Sequence, residues 1–544
     1  MPRPPISLLI CTALALSGCS QGSESPLQWT EVGESAGLTF RHNMGAEKPL
    51  NLTMTVMGGC AFLDFDRDGW LDLFLVNGTR LGDSPEAPAS ERTLHALYRN
   101  RGDGTFEDVT EVAGFVADTH GQGCAVGDYD GDGFPDIYLT NIGPNQLFRN
   151  RGDGTFEDVT EKSGTADDRW GSGAVFFDLD GDNDLDLYVV NYLQLPEDQP
   201  RWGDRTGEGP LFYEPEDDLL YRNEGDGTFT NITAEVGLLP GGSGLTVVAA
   251  DLDADGDQDL FVANDRRPNW LYENRGGSLV EVAVRAGVAT DADGIATAGM
   301  GVDIIDQDGD GWQDIHLTNF RQELNNLYRN RGGLTFRDEL KALGLDAGNR
   351  NRTAWATRFI DFDHDGLLDC FVANGGIWDL PGSRSAPFSD KNLLFHGQPD
   401  GSFVEVGELC WELPVRLRSS RGAAFGDYDK DGDIDFVVLN LGDRAQLFRN
   451  DAPPNKRWMQ IRVEGRAPNT DALGAKVLAR LPDRTVMREV RYAGTYLSSS
   501  DPTIHIGLRP GETAAEVDVT WPTGSTLTLE VKAGTSVVVQ EPGP

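Results

Sequence analysis

The chain has 544 residues, of which 88 are acidic and 46 basic, and its formal net charge at neutral pH is -42. Such an acidic surface repels the phosphates of nucleic acid, so nucleic-acid binding is excluded on electrostatic grounds. Beyond the N-terminal segment, no stretch approaches the roughly twenty apolar residues of a membrane helix.

The N-terminus has the pattern of a bacterial lipoprotein signal. Arg3 is followed by an apolar run over 6–16 and then by Leu16-Ser17-Gly18-Cys19, which predicts a signal peptide over 1–18 and acylation of Cys19. The alternative is an ordinary secretory signal that contains a cysteine. Residues 19–26 are interpreted as a tether. The predicted location is the bacterial cell envelope, on the outer membrane or the cell surface, with membrane contact through the lipid anchor only.

Seven nine-residue segments carry aspartate at positions one, three, five and nine. Alternate residues of a turning loop point inward together, so their carboxylates converge on one point, as a hard cation such as Ca²⁺ requires. The predicted ligands are Asp64, Asp66, Asp68 and Asp72; Asp128, Asp130, Asp132 and Asp136; Asp178, Asp180, Asp182 and Asp186; Asp251, Asp253, Asp255 and Asp259; Asp306, Asp308, Asp310 and Asp314; Asp361, Asp363, Asp365 and Asp369; and Asp427, Asp429, Asp431 and Asp435.

Position six of each segment favours a sharp turn, because it is glycine in six copies and Asn183 in the third. The alternative interpretation is that these residues only mark solvated turns. However, four carboxylates within nine residues repel one another, and seven such clusters without counter-ions would destabilise the fold at each copy. The sequence therefore predicts up to seven bound Ca²⁺ ions.

The segments around the loops predict strands. An EF-hand would place glutamate twelve residues into the loop, whereas the first copy has Leu75 in a β-rich run. Two further elements repeat, a Leu-aromatic-Arg-Asn run such as 97–100 and a run such as 105–110. Each unit thus has four short strands with the cation loop between the first and second. Repeated four-strand units are typical of β-propeller blades.

The repeat count predicts how the ring closes. The last Leu-aromatic-Arg-Asn run, 447–450, is followed by Pro453-Pro454 and not by a fourth strand, while 29–32 near the N-terminus matches 106–109. The N-terminal strand is therefore predicted to complete blade seven, so that no sheet edge stays open. The predicted fold class is all-β: a seven-bladed propeller over 27–452 and a small β-domain over 453–544.

The C-terminal segment alternates apolar and polar residues in short runs, as at 517–521 and 537–539, which predicts strands. Tyr496 and the serines over 498–500 suit a polar ligand patch, and a turn with a capped strand end explains them equally well.

The repeats over about 27–450 resemble the FG-GAP/VCBS propellers, including the calcium-bearing blades of integrin α chains. From Asn455 onward the chain resembles the ASPIC/UnbV domain, on the runs 473–475, 494–500, 505–508 and 521–524. The resemblance implies a propeller fold and calcium, and little about the ligand.

The predicted function is a calcium-binding envelope lipoprotein that serves as a binding or adhesion module for an extracellular glycan or protein. The longest insertions, 192–218, 377–391 and 78–94, follow second strands and would emerge opposite the cation loops with aromatic and acidic side chains. The alternative is an enzyme acting on extracellular polysaccharide or small molecules. We favour no catalysis, because no nucleophile motif or separate carboxylate pair stands apart from the repeats, although His42 and His120 are placed where they would reach a channel.

Four cysteines remain after Cys19. Three pairings of Cys60, Cys124, Cys370 and Cys410 are possible. Buried unpaired thiols are favoured for the first two, with disulfides as the alternative.

Overall fold

A computed structural model describes residues 27–45, 52–79, 95–115, 119–194, 209–377, 388–407, 417–452 and 457–543. Over these ranges the regular secondary structure is mainly strand, with two four-residue α-helices, α1 (Thr160–Ser163) and α2 (Ala283–Ala286). The predicted lipidation site Cys19 and the signal peptide lie outside the described residues. The prediction of an all-β propeller is confirmed by the sheet arrangement described next.

Seven four-stranded antiparallel sheets follow one another along the described chain, and each is called a blade below. Blade seven begins with β1 (Trp29–Glu31). Blades one to three contain β2 (Cys60–Leu63), β3 (Asp72–Leu75), β4 (Ala96–Asn100) and β5 (Phe106–Asp108); β6 (His120–Gly127), β7 (Asp136–Ile142), β8 (Gln146–Asn150) and β9 (Phe156–Asp158); and β10 (Gly171–Phe177), β11 (Asp186–Asn191), β12 (Leu219–Asn223) and β13 (Phe229–Asn231).

The remaining blades repeat the same order. They contain β14 (Gly244–Ala250), β15 (Asp259–Asn264), β16 (Trp270–Asn274) and β17 (Leu279–Glu281); β18 (Gly299–Ile305), β19 (Asp314–Asn319), β20 (Asn326–Asn330) and β21 (Phe336–Asp338); β22 (Ala354–Ile360), β23 (Asp369–Asn374), β24 (Leu393–Gly397) and β25 (Phe403–Glu405); and β26 (Ser420–Gly426), β27 (Asp435–Asn440) and β28 (Gln446–Asn450).

The first strands of neighbouring blades contact each other in a closed ring, from β2 through β6, β10, β14, β18, β22 and β26 back to β2. Blade seven takes its fourth strand from the N-terminus: β1 pairs with β28, with Trp29 opposite Asn450 and Glu31 opposite Phe448. The first and last strands of the repeat region therefore pair in one sheet. This pairing closes the ring between the two ends of the repeat region and leaves the third strand of blade seven without an open edge.

The C-terminal region forms two sheets. One has the order β32-β29-β35 and the other β31-β30-β33-β34. Their bounds are β29 (Trp458–Glu464), β30 (Lys476–Leu481), β31 (Arg484–Glu489), β32 (Ile504–Gly507), β33 (Ala514–Thr520), β34 (Thr526–Lys532) and β35 (Thr535–Gln540). Buried residues of these strands pack into one cluster with those of blades one to three, so the two domains share a continuous core.

One segment of the C-terminal domain, residues 493–501, enters the centre of the ring and is called the plug. The phenol of Tyr496 is fully buried and donates a hydrogen bond of 2.8 Å to the carbonyl oxygen of Val56. Its ring meets Trp355 edge-on at 4.9 Å between centroids. The interpretation of Tyr496 and the serines over 498–500 as a polar ligand patch is therefore wrong, because these residues are buried against the propeller.

The inner strands leave room for the plug by using glycine. A Cβ atom on Gly59 would lie 2.1 Å from the carbonyl oxygen of Leu497, and one on Gly123 would lie 2.8 Å from the Leu497 side chain. The plug also bonds as a strand does: the amide of Cys124 donates to Leu497 over 3.1 Å, and that of Phe62 to Ser499 over 3.1 Å. Larger residues at these glycines would push the plug out of the ring.

Candidate metal centres and a candidate binding face

Each cation loop is held in a tight turn by its own carboxylates. In the first loop Asp64 Oδ2 accepts the amide N–H of Gly69 at 2.9 Å, and Asp68 Oδ1 accepts that of Trp70 at 2.9 Å. Gly69 has φ of 88°, which a side chain would strain. Positions one and five thus each shape the loop through one oxygen, and at position one the other oxygen, Asp64 Oδ1, has no hydrogen-bond partner among the described residues.

The bond from position six to position one occurs in all seven loops. The amides of Gly69, Gly133, Asn183, Gly256, Gly311, Gly366 and Gly432 donate to Asp64, Asp128, Asp178, Asp251, Asp306, Asp361 and Asp427. Asn183 takes the same left-handed conformation, with φ of 69°. The loops are therefore one structure built seven times, as the sequence spacing predicts.

The ninth aspartate ties each loop to the rest of its blade. Asp72 Oδ2 accepts the amide of Phe65 at 3.1 Å, while its Oδ1 accepts that of Asn100 on the third strand at 2.8 Å. Equivalent pairs of bonds reach Asp136, Asp186, Asp259, Asp314, Asp369 and Asp435. This residue was predicted only as a ligand, yet it also joins the second and third strands.

Several inner carboxylate oxygens have no hydrogen-bond partner among the described residues. Buried examples are the Oδ1 atoms of Asp64, Asp130, Asp251 and Asp429. In the first four loops, three aspartates place one oxygen each within 4.8 Å of one another. Oxygen atoms gathered in this way fit the ligand shell of a hard divalent cation, with calcium taking six to eight of them. The loops therefore have the donor set that the sequence predicts.

Burial makes these carboxylates difficult to ionise without a cation. It raises the pKa of Asp72 to about 9 and that of Asp186 to about 8. At position one, burial raises the pKa of Asp64 to about 6 and that of Asp128 to about 7. The neighbouring carboxylates raise these pKa values further, and a bound dication would oppose both effects.

The arginine of the Leu-aromatic-Arg-Asn run supplies part of the counter-charge from outside the loop. Arg99 Nε lies 2.6 Å from Asp66 Oδ2, and its Nη2 lies 3.1 Å from Asp68 Oδ2. Arg149 pairs in the same way with Asp130 and Asp132 in blade two. In blades one and two, arginine thus offsets part of the repulsion between the loop carboxylates, a contribution that the spacing of the aspartates does not reveal.

The asparagine of the same run links neighbouring blades, a role that the sequence analysis missed. Asn150 Nδ2 donates to the carbonyl oxygen of Phe65 in the previous blade at 2.8 Å and to that of Pro135 in its own blade at 3.2 Å. Asn100, Asn223, Asn274, Asn330 and Asn450 make equivalent bonds across the blade boundary. Blade six has Gly397 at this place and lacks the link. The strict recurrence of asparagine was the signal available in the sequence.

The C-terminal domain lies on the face of the ring that carries the cation loops. Thr470 donates a hydrogen bond to Asp128, and the ammonium group of Lys476 pairs with Asp251. Gln460 Nε2 donates to Asp427 Oδ2 at 2.9 Å. The loop face is therefore covered around its centre, and three position-one aspartates take part in holding the second domain.

The described part of the opposite face carries exposed apolar side chains beside a cavity. A cavity of about 310 Å³ lies there between the described part of the long blade-three insertion and neighbouring blades; it is lined by Leu52, Pro210, Leu211, Phe212, Asp265, Arg266, Met300, Phe320 and Ile377 among others. Phe212 is 69% exposed and Leu211 is 60% exposed. The guanidinium of Arg266 lies 5.6 Å from the ring centre of Phe320. Of the insertions predicted to bind a partner, residues 195–208, 378–387 and 80–94 lie outside the described residues.

The histidines near the channel are buried and have backbone partners. His120 Nε2 lies 2.9 Å from the carbonyl oxygen of Thr53, and His95 Nδ1 accepts the amide of Asn77 at 2.9 Å. Burial lowers the pKa of His95 and His42 to about 3. These groups stay neutral at physiological pH.

The described cysteines are free thiols. Cys60, Cys124 and Cys370 are all buried, and Cys410 lies outside the described residues. Cys60 Sγ faces the hydroxyl of Ser498 in the plug at 3.7 Å. Among the described helices none is long and apolar enough to cross a bilayer.

The chain belongs to the FG-GAP-like repeat family. That family's model matches residues 64–139, 128–189, 211–262, 251–317 and 306–372, more than half of the chain, and the ASPIC and UnbV model matches residues 465–544. Both resemblances inferred from the sequence are confirmed. Together with the propeller fold, these matches are those of a binding or adhesion module.

Among curated proteins, the chain is similar to cartilage acidic protein 1. The human protein is 29% identical over 318 residues, which covers 56% of this chain and 44% of that protein. The Xenopus tropicalis protein is 27% identical over 316 residues, covering 56% of this chain and 46% of that protein. The chain thus spans about half the length of these relatives.

Solved structures with similar folds are more distant. YCF48 from Cyanidioschyzon merolae aligns with a TM-score of 0.40 and 10% identity, covering 78% of this chain and 98% of that one. An Agrocybe aegerita lectin that recognises non-reducing terminal N-acetylglucosamine aligns with a TM-score of 0.38 and 17% identity, covering 72% and 87%. Likenesses at this level do not bear on what this chain binds.

Proposed function

We propose that this protein is a calcium-binding lipoprotein of the bacterial cell envelope that binds an extracellular glycan or protein through the face opposite its cation loops. Calcium is structural in this proposal: it neutralises the loops and fixes the first turn of each blade. No catalytic step is assigned to the chain. Its anchor is the acyl group predicted on Cys19, and the membrane is reached only through that group.

The calcium part of the proposal is supported by the unpartnered inner oxygens of the loops. Asp64 Oδ1 and Asp130 Oδ1 are buried without a hydrogen bond among the described residues, while the arginines engage the outer oxygens of their loops. A buried carboxylate oxygen left without a partner is costly, and a cation at the centre of the loop would remove that cost. Extracellular calcium modules bind with dissociation constants of about 10⁻⁴ to 10⁻³ M.

The binding part of the proposal depends on the contrast between the covered and open mouths of the ring. The plug fills the centre and the C-terminal domain covers the loop side, so a partner would meet the side where Leu211 and Phe212 are exposed. Exposed apolar side chains around a cavity, with Arg266 at its edge, suit the anchoring of a sugar face or a protein side chain.

Two measurements test the proposal. Elemental analysis of the full-length protein dialysed against millimolar calcium should return several ions per chain, and a return of none would overturn the calcium assignment. A glycan array and a pull-down from envelope extract should show retention that Phe212→Ala and Leu211→Ser reduce. Val284→Ser is the matched control, because Val284 is 80% exposed on α2, away from the cavity. Formation of a product on the array would favour the enzyme alternative.

A further inference from the structure

Blade six differs from the other blades next to its cation loop. Its third strand ends in His396-Gly397, where five of the seven blades carry Arg-Asn. His396 Nε2 lies 3.1 Å from Asp363 Oδ2, 3.7 Å from Asp365 Oδ2 and 4.0 Å from Asp369 Oδ1. In blade six, an imidazole nitrogen therefore faces three carboxylates of the loop. In the other blades, the equivalent residue of the third strand is an arginine or is not a cation.

The distances allow one metal ion to contact these groups, and the kinds of donor atom distinguish that ion from calcium. Ligand atoms 2.0–2.2 Å from a metal and at right angles to each other lie about 3 Å apart, and somewhat farther at tetrahedral angles. Asp363, Asp365 and His396 each offer one atom within 4.8 Å of the others. Imidazole with carboxylates is a donor set for zinc and related transition metals, whereas calcium prefers oxygen alone.

We propose that the sixth loop is a site for a divalent transition metal ion such as Zn²⁺, with His396 as its nitrogen ligand and Asp363 and Asp365 as oxygen ligands. This inference rests on the proposed function, because it assumes that the loops bind cations. It makes one of the seven loops chemically distinct from the calcium loops. The other two histidines at this loop do not enter the site: His364 Nδ1 faces Asp433 at 3.5 Å, and the His364 and His505 rings lie 5.1 Å apart.

Gln398 contacts the second ring nitrogen of the proposed ligand. Its Nε2 lies 3.0 Å from His396 Nδ1. Metal binding through Nε2 requires the ring proton to be on Nδ1, and the amide then has to turn away. A carboxylate in place of the amide would accept that proton and orient the ring, as acidic partners of metal-bound histidine do. Gln398→Glu is therefore expected to strengthen binding.

The sixth loop borders a cleft, and its histidine is partly exposed. His396 is 19% exposed. A cleft of about 620 Å³ runs between loops five and six and the C-terminal domain, and Gly397 and Gln398 line it. The missing asparagine side chain at Gly397 leaves this edge of the blade without the link to blade five. A site that is reachable from solvent can exchange its metal without unfolding the blade.

The rival interpretation is that protonated His396 only replaces arginine as a counter-charge. The hydrogen bond to Asp363 raises the pKa of His396 above its usual value, as that interpretation also requires. His396→Arg is the matched control, because it recreates the pairing of Arg99 with Asp66 and Asp68 in blade one. Arginine retains the positive charge and has no nitrogen lone pair for a metal.

The test uses the full-length protein in 2 mM calcium with added Zn²⁺, followed by gel filtration and elemental analysis, and a parallel Co²⁺ titration read by visible absorption. The wild type should retain one Zn²⁺ per chain and develop cobalt bands. His396→Arg should retain none while its calcium count is unchanged, and Gln398→Glu should bind zinc about tenfold more tightly. His396→Gln gives the same comparison if the arginine variant does not fold.

Three results would overturn the inference in distinguishable ways. Equal zinc in the wild type and in His396→Arg would remove His396 from the site. Calcium in the loops with no zinc in either protein would overturn the inference and leave the proposed function intact. If the wild type retained neither calcium nor zinc, both the calcium proposal and this inference would be overturned.

Discussion

The two faces of the ring have opposite chemistry. The loop face carries 28 aspartates in seven similar turns and is covered around its centre by the C-terminal domain, which bonds to Asp128, Asp251 and Asp427. Among the described residues of the opposite face, Leu211 and Phe212 are exposed beside a cavity of about 310 Å³. The acidic loops thus support the second domain, while the described part of the opposite face presents apolar side chains to solvent.

We expect the loop face to contribute to the stability of the protein and the opposite face to contribute to partner binding. Changes on the loop face should alter the free energy of unfolding, because the loops position strands and hold the second domain. Changes on the opposite face should alter partner binding alone, because its exposed side chains support little of the core.

Removal of calcium should produce the largest loss of stability. With 2 mM calcium and dissociation constants of about 10⁻⁴ to 10⁻³ M, each site adds about 0.6–1.8 kcal/mol, or about 4–11 kcal/mol over the six loops assigned to calcium. Scanning calorimetry with EDTA in place of calcium should show a melting temperature about 5–15 °C lower. An unchanged transition would contradict the assignment of the loops as calcium sites.

Truncation of the plug should be the next largest effect. Tyr496→Ala removes a fully buried ring and should cost about 3–5 kcal/mol. Tyr496→Phe loses only the bond to Val56 and should cost about 1 kcal/mol. Urea denaturation measures both. If the alanine variant cost no more than the phenylalanine variant, the plug would not be a structural part of the ring.

Within one loop, position nine should matter more than position five. Asp72→Ala leaves the buried amides of Phe65 and Asn100 without their acceptor, at about 2–4 kcal/mol. Asp68→Ala frees an exposed loop amide and weakens one calcium site, at about 1 kcal/mol. Denaturation of both variants in calcium compares them, and the reverse order would show that the ninth residue acts only as a ligand.

The stabilisation by calcium should increase with pH between about 5 and 9. Unfolded aspartates ionise near 3.8, whereas burial raises the pKa of Asp64 to about 6 and that of Asp72 to about 9. Without calcium, the folded chain therefore binds more protons and loses stability as pH rises through these values. Calcium competes with those protons, so the gain in melting temperature should grow by a few degrees. A gain independent of pH would show that these carboxylates are not ligands.

Substitution on the opposite face should have the smallest effect on stability. Phe212→Ala should change the free energy of unfolding by less than about 0.5 kcal/mol. The same variant should lose retention in the pull-down, while Val284→Ser should not. Thermal melts of both variants should accompany the binding assay. If Phe212→Ala destabilised the protein as strongly as Asp72→Ala, the two faces would not have separate roles in stability and in binding.

Repetition explains why so much of this fold was predictable. Seven copies of one spacing identify the loops. The absence of a fourth strand after 447–450 predicts that the strand beginning at Trp29 completes blade seven. The role of Asp72 as an acceptor for two backbone amides was not predictable, because the spacing that predicts a metal ligand requires the same aspartate. The link made by Asn150 was visible as a repeat without a function, because its partner, the carbonyl of Phe65, is 85 residues away.

Local spacing in the sequence is enough to predict the blade, because it sets where a loop turns and which residues alternate into a sheet. The two domains and the acidic charge can also be read from the sequence. Three features depend on tertiary packing: the plug fills the ring, the C-terminal domain covers the loop face around its centre, and His396 contacts the sixth loop. These contacts join residues far apart in the chain, so their partners are chosen by packing and not by any local pattern.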